Sequence, residues 1–164
     1  MYLVDQPGHC PICEKSVRFT AKHDWYRDHL LCSGCGSIPR ERALMRVIQM
    51  YYPSYRGLQI HESSPGNRGV SPKLQNDCIG YSTSHYFPGV EPGEIDQSTG
   101  YMCQNLESLL YEDESFDLFI TQDVMEHIFE PSKAFKEIAS TAGVNISSLS
   151  DTMTAEQYNL IKDF

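Results

Sequence analysis

Four of the six cysteines fall into two equally spaced pairs, Cys10-Pro-Ile-Cys13 and Cys32-Ser-Gly-Cys35, with 18 residues between them. A two-residue gap lets a tight turn aim two thiolates at one point. Two such turns close a tetrahedral shell of four thiolates around a single zinc ion. Such a shell leaves no open coordination position, so its metal is structural rather than catalytic. Two disulfides are the alternative. The N-terminus MYLVDQPGHC has neither a basic region nor a long apolar run, so no secretory signal is expected and a cytoplasmic, reducing setting follows. A redox Cys-x-x-Cys would account for one pair and leave the other without a role. His9, His23 and His29 either replace a cysteine ligand or sit on the surface. Cys78 and Cys103 lack partners at ligand spacing and read as semi-buried thiols.

A second set of residues points to a bound nucleotide. Leu58-Gln59-Ile60-His61-Glu62 reads as a short strand ending in an acid, followed by the small-residue turn Ser63-Ser64-Pro65-Gly66-Asn67-Arg68-Gly69. Small residues let a ligand approach the backbone, and strand, turn and helix in that order form a ligand site at the carboxyl end of an open α/β sheet. Further on, the acidic turn Tyr111 to Ser115 leads into the apolar run Phe116-Asp117-Leu118-Phe119-Ile120-Thr121, which reads as a buried strand. Gln122-Asp123-Val124-Met125-Glu126-His127 follows at its carboxyl end. Glu130-Pro131 then opens a helix with Ala134, Phe135, Ile138 and Ala139 on its apolar face.

The elements that must position these groups can be sketched from pattern. Ser16 to Phe19 and Asp28 to Leu31 predict a hairpin carrying one cysteine turn at each end, and Gly34 and Gly36 suit a turn that needs positive φ. From Ile38 to Pro53 the period is helical, with Leu44, Val47, Ile48 and Tyr51 on one face and Arg40, Arg42 and Arg46 on the other. The arginines serve either an anionic substrate or a solvated helix face.

The segment DESFDLFITQDVMEHIFEPSKAFKEIA resembles the fourth-strand region of class I S-adenosylmethionine-dependent methyltransferases, and the resemblance extends over residues 57–140. It implies an α/β fold, an incomplete Rossmann-like doubly wound sheet preceded by a small zinc-ribbon-like module. It also implies methyl transfer from S-adenosylmethionine to an unidentified acceptor. Carried over by position, Glu62, Ser64 and Gly66 match the acid-x-Gly-x-Gly turn around the methionine part of the cofactor. His85 falls where the family has an acid on the ribose, and Asn105 where it has an acid near the adenine. Gln122 and Asp123 fall on the loop along the methionine side, and His127 on the family's histidine. Catalytic roles are expected at His127, as a base for an acceptor hydroxyl or amine, and at Asp123. A histidine packed beside the site is the alternative for the former, a helix-start carboxylate the alternative for Glu62.

The chain departs from this family in three places within the site: Ser64 stands for a glycine, His85 for the ribose acid and Asn105 for the adenine acid. After the last helix the family continues with a Leu-x-Pro-Gly-Gly turn and further strands. Here Ser140 to Leu149 leads to one helix from Thr154 to Phe164, with a capping box at Thr154 and Gln157 and a strand stub at Val144 and Ile146, so a truncated domain is expected. The expected divisions are a four-cysteine module at 1–37, a connecting helix at 38–55, a partial methyltransferase domain at 56–140 and an atypical tail at 141–164.

Charge and hydropathy narrow the partners. The formal charge is −9, with residues 1–46 at +2 and residues 47–164 at −11, which argues against general nucleic-acid binding. No apolar run approaches the roughly 20 residues of a bilayer span. An open edge after the fourth strand would invite self-association. A non-catalytic remnant, at most a zinc-containing binding module, is the second reading. A dinucleotide oxidoreductase is the third, but only Gly66-x-x-Gly69 of its glycine pattern is present, and Asp77 comes too early for its acid.

Overall fold

The computed structural model describes residues 1–144. The expected strand residue Ile146 and the helix from Thr154 to Phe164 lie outside the described residues.

The N-terminal part is a three-stranded antiparallel sheet. β1 (Val4–Cys10) pairs with β2 (Lys15–Ala21) from Val4 against Ala21 to Cys10 against Lys15, and β3 (Leu31–Cys32) pairs with the other edge of β2. The expected hairpin is therefore shifted. Phe19 and Thr20 face Cys32 and Leu31, while Asp28 and His29 belong to a single helical turn, α1 (Tyr26–His29). The Trp25 indole N–H donates to the Asp28 carboxylate at 2.9 Å and fixes that turn. β1 escapes a pattern reading because Asp-Gln-Pro-Gly-His shows no apolar alternation.

α2 (Pro39–Tyr51) starts on a proline, whose fixed φ suits a first helical position. Its buried face is the expected one only in part, with Ile48 buried and Leu44 packed against the core. Ile38, Glu41, Arg42, Met45 and Ile48 are buried, whereas Val47 is 50% and Tyr51 71% exposed. The stripe is displaced because two charged residues are structural. Arg42 is stacked on Phe19, 4.4 Å from the ring centroid, and its guanidinium donates to the carbonyls of Ser37 and Leu30. Those bonds satisfy a buried cation that an apolarity count cannot place on the inside.

The second part is a parallel sheet of β4 (Ile60–Ser63), β5 (Tyr81–His85), β6 (Met102–Cys103) and β7 (Leu118–Thr121), in the order β6-β5-β4-β7. α3 (Val70–Asp77) connects β4 to β5, and α4 (Pro131–Thr141) follows β7. This is the 3-2-1-4 part of a Rossmann-like order, with the reversal of winding between β4 and β7. The fold is α/β, as the sequence implies.

Alternation along β4 divides the packing between the two faces. Ile60 joins Val70, Leu74, Tyr55 and Ile120 in one cluster that also contains Cys10, Cys32, Met45 and Ile48, so the cysteine module and the sheet share a core. The opposite face packs Leu106, Leu109 and Ala134 against Phe119, Met125 and Ile138. Phe135, expected on the apolar face of α4, is 58% exposed, and Thr141 is buried in the last turn. No helix among the described residues is long and apolar enough to cross a membrane.

Candidate cofactor site and cysteine cluster

The four cysteine sulfurs lie within 4.8 Å of one another. The first turn leaves β1 at Cys10, closes with the Glu14 N–H on the Cys10 carbonyl at 2.8 Å, and enters β2. The second leaves β3 at Cys32 and closes with the Gly36 N–H on the Cys32 carbonyl at 2.9 Å. Gly36 has φ of 70°, the left-handed region that glycine enters without strain. Gly34 is there for a different reason from the one expected. Its φ is not positive, but an added Cβ would stand 3.1 Å from Val17 Cγ1 and 3.2 Å from Cys13 Sγ.

Cys10 and Cys35, and likewise Cys13 and Cys32, are 3.8 Å apart at sulfur. A disulfide would need about 2.05 Å. Bonds of about 2.3 Å from zinc in a tetrahedron separate neighbouring sulfurs by about 3.8 Å, so the donor set fits one tetrahedral metal. Burial pushes the Cys10 thiol up, but hydrogen bonds from the Cys13 and Ile12 backbone and the Ser37 hydroxyl outweigh it and lower it to about 7. Burial and the neighbouring sulfurs raise Cys13 to about 12. One thiol of the four is thus ready to enter a metal shell as thiolate.

At the carboxyl ends of the parallel strands, a cavity of about 420 Å³ opens beside Ser63, Ser64, His85, Asn105, Asp123 and His127. A second, of about 270 Å³, adjoins it through Ser64, His85 and Asp123 and continues to Gly66, Gln122 and Arg40. Both cavities are of the size that holds small molecules, at the switch point where open sheets bind them. Four segments far apart in sequence thus bring seven of the expected residues to one groove. Glu62 is not on its walls. It is fully buried beneath the turn, accepting from Ser71 at 2.8 Å, Gln122 at 2.7 Å and Tyr81 at 2.6 Å. Ser71 in turn accepts the Gly66 N–H at 3.0 Å, so Glu62 braces the turn and the Gln122 loop together.

The turn itself shows why a glycine suits position 64. Ser64 has φ of 54°, and Asp123, at the end of β7, has φ of 52°. Such values are uncommon outside glycine and concentrate where side chains are aimed at a ligand. A Cβ on Gly66 would meet nothing closer than 3.6 Å. The protein's own packing does not demand a glycine there. Ser63 and Thr121 face each other in register across β4 and β7, and their buried hydroxyls have no partner among the described residues. Unsatisfied buried hydroxyls at a switch point fit a polar ligand.

The walls differ in character. His85 packs on Phe87 and Tyr101 at the end of β5, and burial lowers its pKa, so the ring is neutral at pH 7. Asn105 accepts from the Glu107 N–H at 2.9 Å, and Glu107 accepts from the Phe129 and Glu130 N–H groups that start α4. His127 sits on the rim with 75% of its side chain exposed and Glu126 as its ionic neighbour. Asp123 is paired with Arg40 of α2 and, at 3.6 Å, with Arg27 of α1.

Several residues of the groove carry no motif. Glu41 and Ser71 line it, Arg27 reaches it by pairing with Asp123, and Tyr81 lies beneath it on Glu62, all brought there only by the fold. Glu41 accepts the Ile38 N–H at 3.0 Å and Arg68 at 3.1 Å, and it crosses Gly69 so closely that a Cβ there would meet its carboxylate at 2.3 Å. Their one signal in sequence is that Arg40 and Glu41 begin a helix directly after the second cysteine pair.

A Rossmann-like sheet with a groove at its switch point defines the class. Within it, residues 73–142 match the methyltransferase domain family, from α3 through α4 and including His85, Asn105, Gln122, Asp123 and His127. No curated protein and no solved structure matches the chain. The family match supports a class I S-adenosylmethionine-dependent methyltransferase and methyl transfer in general terms.

Proposed function

We propose that the groove between β4 and β7 binds S-adenosylmethionine and that the chain transfers its methyl group to an acceptor. The observation that carries this reading is the convergence of Ser64, His85, Asn105 and Asp123, from four different strand ends, on one cavity at the reversal of strand order. The cofactor supplies an electrophilic methyl group on a sulfonium. The chain's residues position the partners and exclude water. His85 and Asn105 meet the ribose and adenine as neutral polar groups in place of the acids, Gln122 and the Gly66 turn line the amino-acid end, and Glu62 holds that end rigid from below. His127 at the rim stands where an acceptor enters and can take its proton. Zinc in the four-thiolate shell is structural, and the cytoplasm is the compartment in which its thiols stay reduced.

A second reading, a binding module without catalysis, is favoured by the pairing of Asp123 with two arginines, which occupies the carboxylate that both cavities share. Calorimetric titration with S-adenosylhomocysteine tests the binding that both readings share if the module retains its pocket. Micromolar affinity that disappears in Gly66→Trp is the expected result. A folded, metal-loaded chain that binds nothing would end the cofactor reading. Transfer of labelled methyl from S-adenosylmethionine to a panel of small and macromolecular acceptors separates enzyme from module.

A further inference from the structure

Resting on the cofactor reading of the groove, we infer that the helix connecting the cysteine module to the sheet is part of the ligand site: Arg40, together with Asp123, forms a clamp for the zwitterionic amino-acid end of the ligand. The two adjoining cavities differ in chemistry. The larger is walled by Leu106, Ile128, Phe129 and the His85 ring, with amide groups from Gln104 and Asn105, surroundings suited to a flat heterocycle. The smaller is walled by Arg40, Glu41, Arg68, Gln122 and Asp123, charges of both signs.

A free α-amino acid end carries an ammonium and a carboxylate a few bonds apart, and needs one anion and one cation to hold it. Arg40 and Asp123 offer that pair on the wall of the narrow cavity, joined to each other and about two-fifths exposed. Their ion pair is poised to open. The ligand carboxylate takes the Arg40 fork, the geometry in which arginine binds carboxylates best. The ligand ammonium takes Asp123, which keeps Arg27 as a second partner at 3.6 Å. Asp123 comes from the sheet. Arg40 comes from the first turn of α2, five residues after Cys35, and that turn is locked to the cysteine cluster by the Arg42 bond to the Ser37 carbonyl and to the cofactor turn by Glu41 on Arg68. Docked in this way, α2 adds a second cation to a cavity in which the sheet part supplies Arg68 and Asp123.

The test compares two probes that share the adenosine and thioether part but differ at this end. S-adenosylhomocysteine has the amino acid, and 5′-methylthioadenosine does not. In the metal-loaded full-length chain, Arg40→Gln should weaken S-adenosylhomocysteine about tenfold or more, the loss expected for a charge-assisted hydrogen bond, and leave methylthioadenosine unchanged. Arg40→Lys should fall between wild type and Arg40→Gln, because it keeps the charge and loses the fork. Methylthioadenosine binding serves as the control for folding in each variant. Equal weakening of both probes makes Arg40 a merely structural residue and overturns the inference, as does unchanged binding of both. A wild-type chain that binds neither probe removes the cofactor reading itself, and the clamp with it.

Discussion

The cysteine cluster and the cavity between β4 and β7 are both built at turns, but they are assembled over different ranges of chain. Each cysteine turn spans four residues, and two turns finish the cluster. The cavity takes a few residues from each of four strand ends, between Ser63 and Phe129, and adds Arg40 from outside the sheet. The cluster is closed by the backbone bonds of its two turns, and its four sulfurs form a donor set that fits one metal. The cavity gains its order from buried polar braces, Glu62 under the turn and Glu107 at the start of α4, and from a core that the two regions hold in common. A local site is set by two short turns. A site spread over a sheet has its shape before the ligand arrives.

The largest effect that can break this contrast is removal of the metal. Structural zinc in small modules is worth about 10–16 kcal/mol of apparent binding at neutral pH. Purified chain should hold about one zinc, and Cys32→Ser should release it and abolish amide protection in β1, β2 and β3, while β4 and β5 keep theirs in hydrogen exchange. A chain with full protection in β1 to β3 and no metal would erase the distinction between the two regions.

Next comes acid. His61 is fully buried between the Tyr111, Phe116 and Phe119 rings, bonded to Ser82 and Ser84 at 2.9 Å each, and burial lowers its pKa from 6.5 to about 4. The unfolded chain therefore takes up a proton that the folded chain refuses. Stability present above pH 6.5 is lost as pH falls toward 4, by roughly 3 kcal/mol from this one group. Denaturant midpoints measured across that range should show the slope in wild type and lose that part of it in His61→Leu. The same slope in both proteins would assign it to other groups.

Gly69→Ala addresses the seam between the regions. The residue has φ of 71°, and a Cβ would strike the buried Glu41 carboxylate. Left-handed strain and the broken Glu41 bonds together should cost about 2 kcal/mol or more in chemical denaturation. A neutral result would mean that Glu41 moves freely and does not tie α2 to the cofactor turn. The smallest effect belongs to Ser64→Gly. It relieves a φ of 54° at the expense of chain entropy and a long 3.4 Å contact to His85, so stability should rise by less than about 1 kcal/mol. A loss of stability would show that the Ser64 hydroxyl holds His85 in place.

How much of this is legible in sequence follows the same division of range. Two Cys-x-x-Cys pairs specify their own geometry, and the structure brings their four sulfurs together. The apolar run ending at Thr121 and the proline at 131 mark β7 and α4, because burial on both faces and a helix start leave local signatures. The buried face of α2 is legible only in part: Leu44 and Ile48 lie on the core as their spacing predicts, but Arg42 is inside for reasons that lie in Phe19, Ser37 and Leu30. β1 is hidden because its strand character comes from pairing with β2 and not from its own side chains. Arg40, Arg27 and Glu41 belong to the groove only because the module docks on the sheet, and no spacing rule reaches across such a contact.

The central claim is that strand ends from β4, β5, β6 and β7 and the first turn of α2 form a single ligand site. The most direct measurement is nuclear magnetic resonance of the labelled, metal-loaded chain titrated with S-adenosylhomocysteine. The account predicts that the backbone amides of Ser64, His85, Asn105 and Asp123 and the Arg40 guanidinium shift together, with one saturation curve. Shifts confined to one strand end, or none at any of these positions, would contradict it.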